Sequence, residues 1–259
     1  MSFISLIENT FFANGRYWGG LNSSLYKSDS IWSMNTGIES ADLNMVWNEK
    51  PLTDVNIKDI QFIKRHFQKA GLPFWWWLFP SAQSPMTCNM LKAEGFSFVD
   101  SIPSMLADLT ELAREPRDTS LQMMPIRNKE ELLMWEEISF ASFDFPPETQ
   151  QQYHRFVGTF NLNPDSSHKF FLACWNGKPV ATSLLFLHEN AGGIYFVSTL
   201  AEYRKKGIGL ALTLSTMRCA QQSGARFATL QSSPDGLRVY QQAGFQEYCR
   251  VDIYSLKTS

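Results

Sequence analysis

The sequence predicts an α/β (α+β) protein built from two related halves. Strand-like runs alternate with amphipathic helical stretches, and turn signals join successive strands of the second half. One series of helix, glycine, strand, short helix, Gly-Phe and strand also occurs twice. At roughly 100–150 residues per domain, 259 residues suit two domains. A hydrophobic fraction of 44% with 19% charged residues is that of a folded chain and excludes a disordered one.

The first copy of the series begins with Ile57, Ile60, Ile63, Phe67 and Ala70 on one helical face, while Lys58, Asp59, Lys64, Arg65 and Lys69 fall elsewhere. Gly71 closes this helix and a strand follows over 74–79. A short helix then ends in Leu91-Lys92-Ala93-Glu94-Gly95-Phe96, before a strand near 98–109. The polar stretch 110–120, with Pro116, reads as a linker, which sets domains at 1–112 and 121–259 joined by 113–120.

The second half opens with a strand over 121–126 and a helix over about 128–142, where Leu132, Trp135 and Ile138 recur at helical spacing. Phe143-Asp144-Phe145-Pro146-Pro147 breaks that helix, and a further helix covers about 148–158. Strands at 169–175 and 178–188 flank Asn176-Gly177, a hairpin turn signal. Residues 189–193, Glu-Asn-Ala-Gly-Gly, read as a second turn ahead of a strand over 194–200. A helix of about 208–223 carries one charge, Arg218, so most of its sides should be buried, and Gly224 ends it. A strand at 226–231, a short helix at 235–243, Gly244-Phe245 and a strand near 247–256 complete the copy.

A formal charge of −2 and a pI near 6.1 give no electrostatic reason to expect nucleic acid or an anionic membrane as partner. No apolar run reaches the ~18 residues of a membrane span, and Met1-Ser2-Phe3-Ile4 lacks the basic and apolar regions of a signal peptide. Cys88, Cys174, Cys219 and Cys249 are far apart, and His66, His154, His168 and His188 share no ligand spacing. These observations predict a cytoplasmic protein without a metal. An aromatic content of 14% points to large cores and an interdomain interface.

The segment Arg204-Lys205-Lys206-Gly207-Ile208-Gly209, between a strand and a buried helix, carries the chemistry. Gly207 and Gly209 let main chain approach a ligand closely. Amides of the loop and first helical turn lack intrahelical acceptors, and the helix dipole and adjacent cations favour an anion such as a pyrophosphate. A Walker P-loop is excluded by the absence of its GK[ST] ending, and a Rossmann loop by Leu212 where its third glycine would fall.

The run from Val197 to Leu212 resembles the acyl-CoA-binding signature [QR]-x-x-G-x-[GA] of the GNAT N-acetyltransferase superfamily. Tyr240-Gln241-Gln242-Ala243-Gly244-Phe245 resembles its Y-x-x-x-G-F element, in the same order and at the usual separation. The resemblance covers about residues 121–259. The first half resembles only the family's closing portion: Trp47-Asn48-Glu49-Lys50-Pro51-Leu52 replaces the loop and Leu91 matches Tyr240, as in a degenerate copy that has lost its cofactor. The resemblance implies two GNAT-like domains, each a mixed, mostly antiparallel sheet flanked by helices, and acetyl transfer from acetyl-CoA to a primary amine. It also implies that Val197, Ser198 and Thr199 pair with the pantetheine arm and polarise the thioester, while Arg204, Lys205, Lys206, Gly207, Ile208 and Gly209 hold the pyrophosphate. Tyr240 becomes the general acid for the departing thiolate, and Ser233 stands where many relatives place a cofactor-binding Asn.

The carboxylate usual on the strand before the loop is missing, since 194–200 contains no Asp or Glu. Glu202, Glu189, His188 and Asp144 are the substitutes, each also readable as a solvated group, so no base is assigned. Cys174 and Cys219 read as small buried residues. A non-catalytic acyl-CoA-binding or scaffold protein is the alternative to an enzyme, and a nucleotide-binding regulator a third reading. The acceptor, a small molecule or a peptide amine, is open, as is the oligomeric state. Residues 143–159 carry no charge run that suggests a polyanion, and Trp75-Trp76-Trp77 reads as a buried strand or as packing in the cleft between halves.

Overall fold

The computed structural model describes residues 2–112, 120–143 and 145–256. The expected linker therefore lies, apart from Ser120, outside the described residues, as does Asp144. In the first half the helices are α1 (Phe3–Leu21), α2 (Ile57–Ala70) and α3 (Pro85–Ala93). Its strands are β1 (Leu25–Lys27), β2 (Ile31–Met34), β3 (Met45–Asn48), β4 (Trp75–Leu78) and β5 (Phe96–Asp108). The second half holds β6 (Leu121–Pro125), α4 (Lys129–Ser142), α5 (Gln150–Val157), β7 (His168–Trp175), β8 (Lys178–His188) and β9 (Ala191–Thr199). After these come α6 (Ile208–Gln222), β10 (Phe227–Gln231), α7 (Leu237–Gln242) and β11 (Gln246–Leu256).

All these strands join one 11-stranded sheet in the order β1-β2-β3-β4-β11-β5-β10-β9-β8-β7-β6. Pairing is parallel between β3 and β4 and between β9 and β10, and antiparallel elsewhere. The two halves interleave at the centre. β5 leaves β4 and pairs with β10 and β11, while β11 fills the place between β4 and β5. The order α2-β4-α3-β5 in the first half is thus repeated by α6-β10-α7-β11, with each closing strand lodged beside the other half's penultimate one.

Local chemistry sets most element ends. Gly71 adopts φ 67° and closes α2 in the left-handed conformation open to glycine. Pro85 stands at the first position of α3, whose Ser84 cap accepts from Thr87 N. Asn128 caps α4 in the same way, accepting from Glu131 N. Asn176 (φ 50°) and Gly177 (φ 80°) make the two-residue turn joining β7 to β8.

Two regions differ from the sequence reading. β9 starts at Ala191, so Gly192 and Gly193 lie within the strand and only Glu189-Asn190 turns the chain. A Cβ on Gly192 would lie 2.8 Å from Leu185 Cδ1 and 2.9 Å from Ala220 Cβ, so this glycine admits α6 onto the sheet. The pattern reading also assigned no helix ahead of residue 57, whereas α1 runs through 19 residues at the centre of the molecule. Its glycines answer to packing: a Cβ on Gly15 would meet Trp47 at 2.9 Å, and one on Gly19 would meet Leu25 at 2.8 Å.

The sheet is covered on both faces. α1, α4 and α5 pack on one, where Trp18, Trp135 and Phe156 join Trp47, Phe170 and Phe186 in a core shared by both halves. On the other face, α6 and α7 cover the second half through Leu212, Met217 and Phe245, and α2 and α3 cover the first through Ile63, Phe67 and Leu91. Trp75, Trp76 and Trp77 alternate accordingly, as strand geometry requires: Trp76 is buried under α2 and α3, and its neighbours face α1.

Candidate active site

β9 and β10 pair only at Ala191–Phe227, Gly192–Ala228 and Gly193–Thr229. Beyond Gly193 the two strands diverge, so the edge of β9 that faces β10 carries no strand along Ile194 to Thr199. Its other edge stays on β8 but with a bulge. The register passes from Tyr195–Leu184 to Ser198–Thr182, so Phe196 and Val197 oppose Ser183 alone. Phe196 is held at φ 50°, a conformation that costs a non-glycine residue about 1–3 kcal/mol. Thr182 fixes it: its hydroxyl donates to Phe196 O (2.9 Å) and shares a 2.7 Å hydrogen bond with Ser198 Oγ.

The chain leaves β9 through a short 3₁₀ turn, Ala201–Tyr203, into the loop ahead of α6. Lys205 (φ 62°) and Gly207 (φ 76°) are left-handed with Lys206 between them, an alternation that gathers successive N–H groups into an anion-binding concavity. The same concavity ends on the N-terminus of α6, which begins at Ile208. Arg204 secures the loop from behind, Nε donating to Thr199 O (3.0 Å) and Nη2 to Ser142 O at the end of α4 (3.1 Å). Its amide also bonds Ala201 O, so Arg204 shapes the loop through groups already engaged. Lys206 Nζ rests 5.0 Å from the Tyr203 ring centre, beside the concavity.

The glycines test whether a ligand suits this place. A Cβ on Gly207 would meet nothing within 4 Å, and one on Gly209 only Thr199 Oγ1 at 3.9 Å. Gly207 requires its identity through its positive φ. Gly209 is helical and has room for a side chain, so no protein contact demands glycine there. The space it leaves is a cradle on the helix N-terminus, open to an anion.

Tyr240, on α7, and Ser233 flank the same cleft. Ser233 Oγ accepts from Gly236 N (3.2 Å), which leaves its hydroxyl hydrogen free to donate elsewhere. The Tyr240 ring lies against Gly236, where a Cβ would come within 2.6 Å of Cε2. Burial pushes the Tyr240 hydroxyl up to about 12, so it remains a proton donor throughout the neutral range.

The cleft continues into a cavity of about 220 Å³ between the halves. Ile194, Tyr195, Phe196 and Val197 form one side; Phe143 and Phe145, beyond α4, form another. The first half supplies the rest, including Phe11, Asn14 and Trp18 from α1, Trp77 from β4 and Asp42. Asp42 sits in a single 3₁₀ turn, Ala41–Leu43, and accepts a hydrogen bond from Ser40 Oγ. Burial raises its carboxyl above the ordinary range, and no Lys or Arg among the described residues pairs with it. Its charge also acts on the buried Tyr153 of α5, across the boundary between halves. Asn14 is braced from below, its Oδ1 accepting from His168 Nε2 (2.9 Å). Burial drives His168 down to about 3, keeping it neutral.

Sequence patterns gave no sign of Asp42: Ser40-Ala41-Asp42 marks only a local turn, and the first half has no binding motif. Of the substitutes named for the missing strand carboxylate, the three among the described residues lie elsewhere. Glu202 is exposed and lines no part of the cavity. His188 and Glu189 sit at the opposite end of β8–β9 from Thr199, roughly 25 Å away at the rise of a strand. Cys174 and Cys219 have thiols raised by burial, in keeping with inert residues. Among the described residues no cluster of three or more His, Cys, Asp or Glu could hold a metal, and no helix is long and apolar enough to cross a membrane.

The equivalent place in the first half is filled. β3 and β4 stay paired along Met45–Trp75, Val46–Trp76 and Trp47–Trp77, and Trp76 Nε1 donates to Asn48 Oδ1 (2.8 Å) across them. Leu52 is fully buried in the loop, and Thr53 with Asn56 forms a capping box ahead of α2. Donors left open before α6 are therefore satisfied internally before α2.

A splayed strand pair, a bulged edge and a glycine cradle on a helix N-terminus together define an α/β protein with an open strand edge that leads to an anion-accepting helix start. The model of the acetyltransferase (GNAT) family matches residues 130–245. The fold of the whole chain is similar to that of a GCN5-related N-acetyltransferase from Kribbella flavida, with a TM-score of 0.74 and 17% identity over 96% of each chain. A GCN5-related N-acetyltransferase from Sphaerobacter thermophilus gives a TM-score of 0.65 at 16% identity, over 87% of this chain and 76% of that one. A tandem GNAT protein from the clavulanic acid biosynthesis pathway gives 0.58 at 14% identity, over 90% and 82%. No curated protein sequence matches.

Proposed function

We propose that this protein is an acetyl-CoA-dependent N-acetyltransferase of the cytoplasm, acting by direct attack of a small primary amine, with neither nucleic acid nor membrane as partner. The observation that carries this reading is the open β9 edge ending at the empty-sided glycine cradle of α6. Acetyl-CoA supplies an acetyl thioester. Main-chain groups of Val197, Ser198 and Thr199 offer strand-like hydrogen bonds to its pantetheine arm, and an N–H of the bulged edge faces charge growing on the carbonyl oxygen. The loop from Lys205 to Gly209 holds the pyrophosphate by amides, Arg204 keeps that loop in shape, and Ser233 offers its hydroxyl to the arm.

In the transfer, the amine nitrogen bonds the acetyl carbon as the carbon–sulfur bond breaks. The ammonium first gives one proton to water, the attacking nitrogen gives water a second as the amide forms, and the sulfur gains one. Tyr240 donates to the sulfur and regains its proton from water. The first half, with its own cleft closed, contributes a wall of the acceptor cavity.

The test is thiol release from acetyl-CoA across a panel of primary amines, paired with calorimetric titration of acetyl-CoA, CoA and ATP. Saturable acetyl-CoA binding with amine-dependent thiol release is the expected result. Binding without turnover on any amine would replace the enzyme with an acyl-CoA-binding protein, and preference for ATP would overturn the cofactor assignment.

A further inference from the structure

The acceptor cavity has a specific composition. Its walls are aromatic, with Phe11, Trp18 and Trp77 from the first half facing Phe143, Phe145 and Phe196 from the second. Among the described residues one carboxylate, Asp42, opens onto it, and no cation among them neutralises that group. At about 220 Å³ the cavity falls below the ~300–1,000 Å³ of pockets that take drug-sized molecules. It also reaches Val197 and Tyr240, beside the position proposed for the thioester.

A partly buried carboxylate that is hydrogen-bonded by Ser40 but paired with no Lys or Arg among the described residues gains from a cation placed against it. The ligand that best completes this one carries a single positive charge. The aromatic rings that line the same cavity favour a cation through their quadrupoles and reward an apolar body. A polyamine would bring further charges into walls whose described residues offer them no second carboxylate. A sugar amine would bring hydroxyls against rings, and an amino acid would bring a second carboxylate beside Asp42.

We infer that the acceptor is a small monocationic amine on an aromatic or similarly apolar body, its ammonium received by Asp42 of the first half. This deepens the acetyltransferase reading by naming its substrate class, and it makes the half that lacks a cofactor loop the source of acceptor specificity. Asp42 acts here as a binding residue for the amine.

The experiment is calorimetric titration of the full chain with 2-phenylethylamine, with and without CoA, against 2-phenylethanol, spermidine, glucosamine and glutamate. The expected result is saturable binding of 2-phenylethylamine at least tenfold tighter than any of the others. Asp42→Asn should weaken it at least tenfold, while Asp165→Asn, which changes an exposed carboxylate, leaves it unaltered. Equal binding of 2-phenylethanol, equal binding by the Asp42→Asn protein, or no binding of the amine would each overturn the inference. Binding is read apart from transfer. An amine held by Asp42 but never acetylated would refute the acetyltransferase reading and leave Asp42 as the site of a bound amine that is not an acceptor; acetylation confined to hydrophilic amines would keep the enzyme and overturn this inference.

Discussion

Two residues at the site separate holding the fold from doing chemistry. Tyr240 packs on Gly236 and carries a hydroxyl raised to about 12 by burial. Tyr240→Phe keeps the ring and removes the proton, so kcat should fall by about 10²-fold or more, the usual worth of a general acid, with the Kd for acetyl-CoA within twofold. Steady-state kinetics beside calorimetry check this. With so high a pKa, the wild-type rate should show no alkaline fall from this group below about pH 11. Gly209 makes the complementary case. Its missing Cβ meets no protein atom closer than 3.9 Å, so Gly209→Ala should leave thermal stability unchanged or raised by up to ~1 kcal/mol, through better helix propensity. The same methyl should weaken acetyl-CoA binding about tenfold or more. A variant that loses affinity with no loss of stability marks a glycine retained for a ligand.

At the scale of elements, β9 accounts for most of the site and for a misread turn. Glycine pairs in sequence usually announce a change of direction, but here both lie inside a strand: Gly192 admits α6, a need visible only once that helix lies over it, and Gly193 makes room for the Tyr195 ring. Gly192→Ala should therefore destabilise the protein by about 1–3 kcal/mol, because Leu185 and Ala220 leave no room; chemical denaturation measures it. The Lys205–Gly209 loop and the α7 tyrosine were legible because their chemistry is local: left-handed glycine, helix start and aromatic at fixed spacing. The bulge at Phe196 was not, since it depends on the hydroxyl of Thr182 on a neighbouring strand. α1 was missed for a related reason, its glycines being fitted to Trp47 and Leu25 and so opposing the helical pattern.

The whole molecule adds what neither half contains. Asp42 and Trp77 reach the second half's cleft only because α1 and the central strands bring the halves onto one sheet, and no sequence window spans that distance. The same union buries His168 beneath Asn14. Its folded pKa of about 3 lies below its ordinary value of 6.5. Between those values the unfolded chain binds a proton that the native one does not, so stability falls as pH drops through this window. From pH 7 to pH 5 this one group should remove about 2 kcal/mol, and His168→Gln should lose that much less over the same interval. Urea unfolding at the two pH values, taken as the difference between the proteins, isolates it from the raised carboxyls of Glu8, Asp42 and Glu136.

The crossing of β5 and β11 at the sheet centre bears on how the molecule is made. During translation β5 emerges well over a hundred residues ahead of β11, and the slot that β11 occupies between β4 and β5 stays vacant in the meantime. The amino-terminal half cannot complete its sheet on the ribosome, and the carboxy-terminal half cannot complete its own without β5. Neither half completes its sheet without a strand of the other, so the two become native together.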